Sequence, residues 1–375
     1  MTTSTESNTA VIAEDLNLTP TQTNILIGFD LGTNTSCVIA SKEGNSEIFF
    51  KKAVPTVVGY AKESILPGIL PEDKQVFFGN DALKHRAHLD LVYPLKDGII
   101  HDIKAAKDFV HYIRTHLCAE DPNASIKAAI GIPANTTVTA REDLRETVAG
   151  VFEEVILVPE PFLAALGCRN ENRLQDPDYL DPVRSSLFID IGAGTADLCI
   201  IQGYYPTADD LVSIPFAGDA IDEVLSEKIR AQYPEATLSP LQVRTIKEQY
   251  SYVGAPKQGM EIKVLISGKP RTLEIGPLIG EACNTLLEKI AKATIELINR
   301  CPADSVEDIL QNIIMTGGGS QIQGIATELQ RLLAREGYQA PTVNTVGEHY
   351  KAFVGLGAWK AGQSAKANQW QRLLR

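Results

Sequence analysis

The first ordered signal along the chain is Ile25–Phe29, a continuous apolar run that ends at Asp30 in a Gly- and Thr-rich turn. That is the pattern of a buried strand feeding a polar loop. The segment has an echo. IGFDLGTNTSCVIA (27–40) aligns with LFIDIGAGTADLCI (187–200), matching Asp30 to Asp190, Gly32 to Gly192 and Thr35 to Thr195. Apolar residues resume after the turn in both copies. A strand–Asp–x–Gly–x–x–Thr–strand unit used twice predicts two lobes of similar build. Between the copies, AAIGIP (128–133) and EVILVPEP (154–161) are short apolar runs stopped by proline, and Thr139–Glu154 has helical spacing at Leu144, Val148 and Val151 or Phe152. This alternation of strand and helix predicts α/β architecture.

Elsewhere the pattern marks boundaries. Residues 50–95 are less regular and read as a small insertion, and residues 170–185 form a polar, proline-punctuated hinge candidate. Ile221, Val224, Leu225 and Ile229 make one apolar helix face, Glu281–Asn299 a longer one, and Ile322–Leu333 a third helical run. Residues 365–375 are expected to form a short surface helix carrying Lys366, Arg372 and Arg375. Residues 1–24, rich in Thr, Ser and Asn, are expected to be a disordered tail whose apolar positions are Val11, Ile12, Leu16 and Leu18.

Composition narrows the function. Apolar residues make up 44% and charged residues 22%, enough for a full core. Asp and Glu total 47 against 35 Lys and Arg, a formal net charge of −12 that disfavours nucleic-acid wrapping or anionic lipid. The scattered cysteines contain no CxxC pair and read as core thiols in a reducing compartment. No run is long enough to span a membrane, and the N-terminal stretch lacks the basic residues of a secretory signal, so a cytoplasmic location is expected. The six histidines form no ligand cluster.

Three Gly-rich turns follow apolar strands: DLGTNT (30–35), DIGAGT (190–195) and TGGGSQ (316–321). Glycine lets backbone N–H groups approach phosphate oxygens, and Thr or Ser hydroxyls add donors. The third turn precedes a helical run and so is expected to place donors at a helix N-terminus. None fits a P-loop or a GxGxxG fingerprint. Asp30 and Asp190 lie at strand ends facing one cleft. Either they hold Mg²⁺ through water beside a triphosphate, or each caps its own turn.

These turns resemble the two phosphate loops and the adenosine loop of the actin/DnaK-type ATPase superfamily. VPEPFLAALG (158–167) and AFVGLGAW (352–359) resemble its two hinge segments, IKEQYSYVG (246–254) its ribose-side helix, and AGDAIDEVL (217–225) a further family segment. Together with YPLKDGII (93–100), these motifs look most like the bacterial actin homologues that organise magnetosomes. The resemblance implies an actin-like duplicated ATPase fold of two lobes, each a ribonuclease-H-like core plus an insertion, around a nucleotide cleft. Lobe I is expected over 25–168 and 350–375, with its insertion at about 50–95. Lobe II is expected over 185–349, with its insertion at about 218–275.

The resemblance also implies roles. Gly32, Thr33, Asn34 and Thr35 would contact phosphates from one lobe, and Gly192, Ala193, Gly194 and Thr195 from the other. Asp30, Asp190 and Glu160 would organise Mg²⁺, with Glu160 orienting the attacking water and Asp197 standing behind them. Lys247, Glu248, Gly317, Gly318, Gly319 and Ser320 would hold the nucleoside of ATP or ADP. The expected activity is Mg-dependent ATP hydrolysis in a self-polymerising filament, with magnetosome or other organelle adaptors as partners, and neither nucleic acid nor direct membrane insertion. An MreB-like cell-shape filament and a monomeric kinase or chaperone ATPase are the alternatives.

Overall fold

The apolar runs that end at Asp30 and Asp190 are inner strands of two sheets built to one plan. A computed structural model of the chain describes residues 23–134, 136–266 and 268–373. In order, the first half holds β1 (Asn24–Asp30), β2 (Thr35–Lys42), β3 (Ile48–Pro55), β4 (Val58–Ala61), β5 (Val76–Phe78), α1 (Gly79–Lys84), β6 (Leu89–Val92), β7 (Leu95–Lys96), β8 (Ile99–Ile100), α2 (Ile103–Leu117), β9 (Ser125–Ile132), α3 (Val138–Val148), β10 (Glu154–Pro159) and α4 (Glu160–Cys168). The second half holds β11 (Ser186–Ile191), β12 (Ala196–Ile201), β13 (Leu211–Ile214), α5 (Gly218–Gln232), α6 (Pro240–Tyr250), β14 (Glu261–Ile266), β15 (Lys269–Glu274), α7 (Gly276–Ile298), α8 (Val306–Gln311), β16 (Ile313–Thr316), α9 (Ile325–Arg335), β17 (Val343–Thr345), α10 (Phe353–Ser364) and β18 (Gln371–Arg372).

The first sheet runs β18-β10-β9-β1-β2-β3, with β1 antiparallel to β2 and parallel to β9. The second runs β13-β12-β11-β16-β17 and repeats that scheme: a three-strand antiparallel meander, then parallel strands. Even the register repeats, since Asp30 lies opposite Cys37 and Asp190 opposite Asp197. β1 and β11 are nearly continuous in apolar residues because both faces of each sheet are covered.

Phe29, Phe109, Ile126 and Phe152 fill the first core, and α5 and α7 contribute Ile221, Leu225, Ile229, Leu286 and Ile290 to the second. A third cluster joins the lobes. Ala129 and Val158 of the first sheet and Phe188 and Ile201 of the second meet Leu163 of α4 and Val354 and Ala358 of α10. The two helices cross with their backbones touching. A Cβ on Gly167 would lie 2.0 Å from the Phe353 carbonyl oxygen, and one on Gly357 would lie 1.7 Å from that of Leu163. Only glycine permits this approach.

Several expectations are corrected. Residues 48–55 form β3 of the main sheet, so the small separate sheet of β4, β5 and β6 starts later than the expected 50. The helix expected over 139–154 ends at Val148, where a turn brings Val151 and Phe152 into the core and releases the chain into β10. The helix expected from Ile322 starts at Ile325, after a left-handed Gly324. Residues 367–372 form a single 3-10 turn and the edge strand β18 instead of a surface helix, because Gln371 and Arg372 pair with Val155 and Glu154. Arg375 lies outside the described residues, as do residues 1–22 of the expected tail, whereas Asn24 already pairs with Ser125 in β1. Cys37, Cys118, Cys199 and Cys283 are buried free thiols. Among the described residues no helix is long and apolar enough to cross a membrane.

Candidate functional site

The two Asp-bearing hairpins turn toward each other at the ends of β1 and β11. Each turn is tightened by glycine: a Cβ on Gly32 would lie 2.5 Å from the Thr35 carbonyl oxygen, and one on Gly192 would lie 3.2 Å from that of Thr195. The Thr56 hydroxyl donates to the Gly32 carbonyl at 2.7 Å and pairs with the Ser36 hydroxyl at 2.8 Å, fixing the first turn. Between the hairpins sits the β7–β8 turn. Gly98 N–H donates to the Thr33 hydroxyl at 3.0 Å, and a Cβ on Gly194 would lie 2.4 Å from Asp97 Cα. Asp97 and Gly98 both have positive φ, at 51° and 74°, the backbone of a tight hairpin turn. YPLKDGII carried this turn in the sequence, but nothing local marked it as a spacer between two loops.

Four carboxylates converge here. Burial, and next the neighbouring Asp190, push the Asp30 carboxyl up to about 8. Burial and Asp197 push Asp190 up to about 7. Glu160 opens α4 directly after Pro159. Burial raises it well above the usual carboxylate range, and Asp30, Asp197 and Asp190 add to the rise. Asp197 is raised by burial but steadied by hydrogen bonds, from the Thr195 hydroxyl at 2.7 Å and from Ala134 N–H, of the other lobe, at 3.3 Å. Buried acids that raise one another are what a hard divalent cation would relieve, and all donors are oxygen. Among the described residues no three His, Cys, Asp or Glu side chains gather to grip a metal directly. The oxygen-only donors of Asp30, Asp190 and Glu160 are chemically compatible with such a cation.

The third glycine turn packs against the end of β11. A Cβ on Gly317 would lie 2.4 Å from Asp190 Oδ1, and one on Gly319 would lie 2.1 Å from Ile191 Cγ2. The turn is a 3-10 segment, Gly318–Gln321, so it does not open a long helix as the sequence suggested. Ser320 is buried, and its hydroxyl donates to the Gly317 carbonyl at 2.7 Å, inside the turn. Lys247 is also engaged, donating to the Gly218 carbonyl at 2.7 Å and to Asp222 at 2.9 Å. Glu248 is exposed on the same helix. Tyr350, which sequence reasoning missed, bridges these parts: burial and Glu248 raise its hydroxyl, and its ring lies beside Gly318. Thr35 opens β2. Ala193 accepts the Asp219 N–H at 2.7 Å. Asn34, 185 residues away in sequence from Asp219, meets its carboxylate.

A family model described as MreB/Mbl protein matches residues 24–345. The actin-like protein MamK of Magnetospirillum gryphiswaldense is 30% identical over 306 residues, covering 80% of this chain and 79% of the relative. A solved MamK double helical filament superposes with a TM-score of 0.79 at 28% identity, covering 92% of this chain and 100% of that one. A non-polymerising MamK mutant bound to AMPPNP gives a TM-score of 0.63 at 27% identity over the same shares of 92% and 100%. The duplicated sheets are thus an actin-like fold.

Proposed function

Because the chain belongs to the MreB/Mbl family of actin-like proteins, we propose that it is an ATP-binding and ATP-hydrolysing bacterial actin that polymerises head to tail. The observation that carries this reading is the pair of hairpins in matching register, aiming Asp30 and Asp190 into one buried acidic cleft beside Glu160. In this reading lobe I is 25–168 with 350–375, and lobe II is 185–349. Gly32, Thr33, Asn34 and Thr35 hold the phosphates from one side, and Gly192, Ala193, Gly194 and Thr195 from the other. Lys247, Glu248 and the Gly317–Ser320 turn flank the nucleoside. Asp30 and Asp190, with Glu160 nearby, would hold Mg²⁺, which would supply positive charge against the crowded phosphates.

Glu160 orients the attacking water and draws off its proton. A carboxylate whose proton affinity is raised by burial suits that task. ATP touches both lobes and favours the closed cleft by its differential affinity. Head-to-tail contacts between closed copies do not close on themselves and give an open filament. Hydrolysis removes part of the bridge and releases those contacts. By likeness to MamK, the filament is cytoplasmic and positions magnetosomes or another organelle through adaptor proteins. The MreB/Mbl match favours a second reading, a cell-shape filament, and imaging cells that lack the protein separates the two: dispersed organelles against altered outline. The biochemical test is calorimetric titration with ATP and Mg²⁺, followed by phosphate release. Saturable uptake with slow turnover is expected, and no uptake contradicts the reading.

A further inference from the structure

One contact joins the first hairpin to the opposite lobe through an acid that the nucleotide reading does not use. Asn34 Nδ2 donates to Asp219 Oδ1 at 3.3 Å. Asp219 is the second residue of α5, and this end of the helix is fastened to the other phosphate loop. Gly218 N–H donates to the Gly192 carbonyl at 3.3 Å, and Asp219 N–H to that of Ala193 at 2.7 Å. The Asp219 carboxylate also accepts from Arg244 Nη2 at 3.2 Å. On the same helix face, Lys247 Nζ donates to Asp222 at 2.9 Å, and Arg244 Nε lies 3.5 Å from Asp222. Two acids of α5 thus face two cations of α6, the helix that carries Lys247 and Glu248.

The charge balance matters because an uncompensated carboxylate beside a triphosphate would repel it. Arg244 offsets Asp219, so the acid is tolerated at the cleft. A carboxylate only accepts, so the contact fixes the Asn34 amino group, and not its carbonyl, on the lobe II side. That group has a second N–H, which is free to meet a phosphate oxygen. An opening that moved lobe I away from α5 would break the Asn34–Asp219 bond.

From this we infer that Asp219 is a positioning residue: it orients Asn34 across the lobes and, through that bond, restrains cleft opening and hence nucleotide release. The inference rests on the proposed nucleotide reading. The segment AGDAIDEVL (217–225) is marked in the sequence, but this role of Asp219 is not, because its partners come from three separate segments.

The test is stopped-flow release of mant-ATP, loaded with Mg²⁺ and chased with unlabelled ATP, on the full chain. Asp219→Ala removes a hydrogen bond at a charged acceptor and is expected to speed release about tenfold. In the Asn34→Ala background the same substitution should change release less than about twofold, because its partner is already gone. Asp219→Asn keeps an acceptor for Asn34 and should stay within about threefold of the parent, a rescue that a purely structural role does not predict. Melting curves establish that each variant is folded; if Asp219→Ala is not, Asp219→Ser, too short to reach Asn34, carries the comparison, and release from it as slow as the parent's overturns the inference. Unchanged release in Asp219→Ala, or multiplied effects in the double variant, overturns the inference alone. A parent chain that takes up no mant-ATP overturns the nucleotide reading and this inference with it.

Discussion

In the proposed reading, Glu160 and the paired aspartates are the residues on which the chemistry turns. Glu160→Gln keeps the shape but cannot draw off a proton. Phosphate release is expected to fall by roughly 10²–10⁴-fold while calorimetric ATP affinity stays close to the parent's. Equal losses in both would reassign Glu160 to binding. Asp30 and Asp190 make a prediction about pH. Their folded values, about 8 and about 7, lie above the ordinary carboxylate value, so between roughly pH 4 and pH 8 the folded state binds more protons than the unfolded one. Without nucleotide and metal, their contribution to stability is full at acid pH and lost as pH rises through those values. Asp30→Asn abolishes part of that loss. It should raise the melting temperature near pH 8 by about 2–4 °C, the shift that ~1 kcal/mol produces in a mid-sized domain, with little gain near pH 4. An unchanged slope of melting temperature against pH would contradict it. The aspartates were legible in sequence because each ends an apolar strand before a glycine. Tyr350 was not, and Asp97 and Asp219 were noted only as parts of family segments, since their places at the cleft come from contacts between distant segments.

At the scale of elements, the crossing of α4 and α10 is the feature most sensitive to a single atom. Gly167→Ala would drive a Cβ into the Phe353 carbonyl, at 2.0 Å. Overpacking of this kind typically costs about 1–3 kcal/mol, and here it falls on the cluster that joins the sheets. Urea denaturation should show the loss, whereas Gly44→Ala, on an open turn with φ of 75°, meets no neighbouring atom and should show only its backbone strain. Equal midpoints in the two variants would contradict the close crossing. The strands were the readable elements. β1, β9, β10 and β11 are apolar runs ended by Asp or Pro, signals contained in the run itself. The edge strand β18, Gln371–Arg372, was read as part of a surface helix because two residues are too few to show a strand period, and pairing with Glu154 and Val155 makes it extended. β3 was read as part of an insertion because its exposed Phe49, Lys51 and Lys52 mask strand alternation at a sheet edge.

For the whole molecule, two lobes share one buried hinge and one acidic cleft, so any ligand that binds both sides stabilises the closed body. ATP with Mg²⁺ at a hundredfold excess over its dissociation constant would add about 2.7 kcal/mol, visible as a raised melting temperature. The duplication was legible from the repeated Asp–x–Gly–x–x–Thr unit, and the structure extends it to strand order and register. Each copy of the chain carries a formal net charge of −12, so assembly has to overcome mutual repulsion. The most direct measurement is high-speed sedimentation of the purified chain with ATP and Mg²⁺ against a nucleotide-free control. The expected result is protein moving into the pellet as filaments only when ATP is present, and returning to the supernatant as phosphate is released. Protein that stays monomeric at high concentration with saturating ATP, or that pellets equally without it, would contradict a cleft whose closure drives assembly.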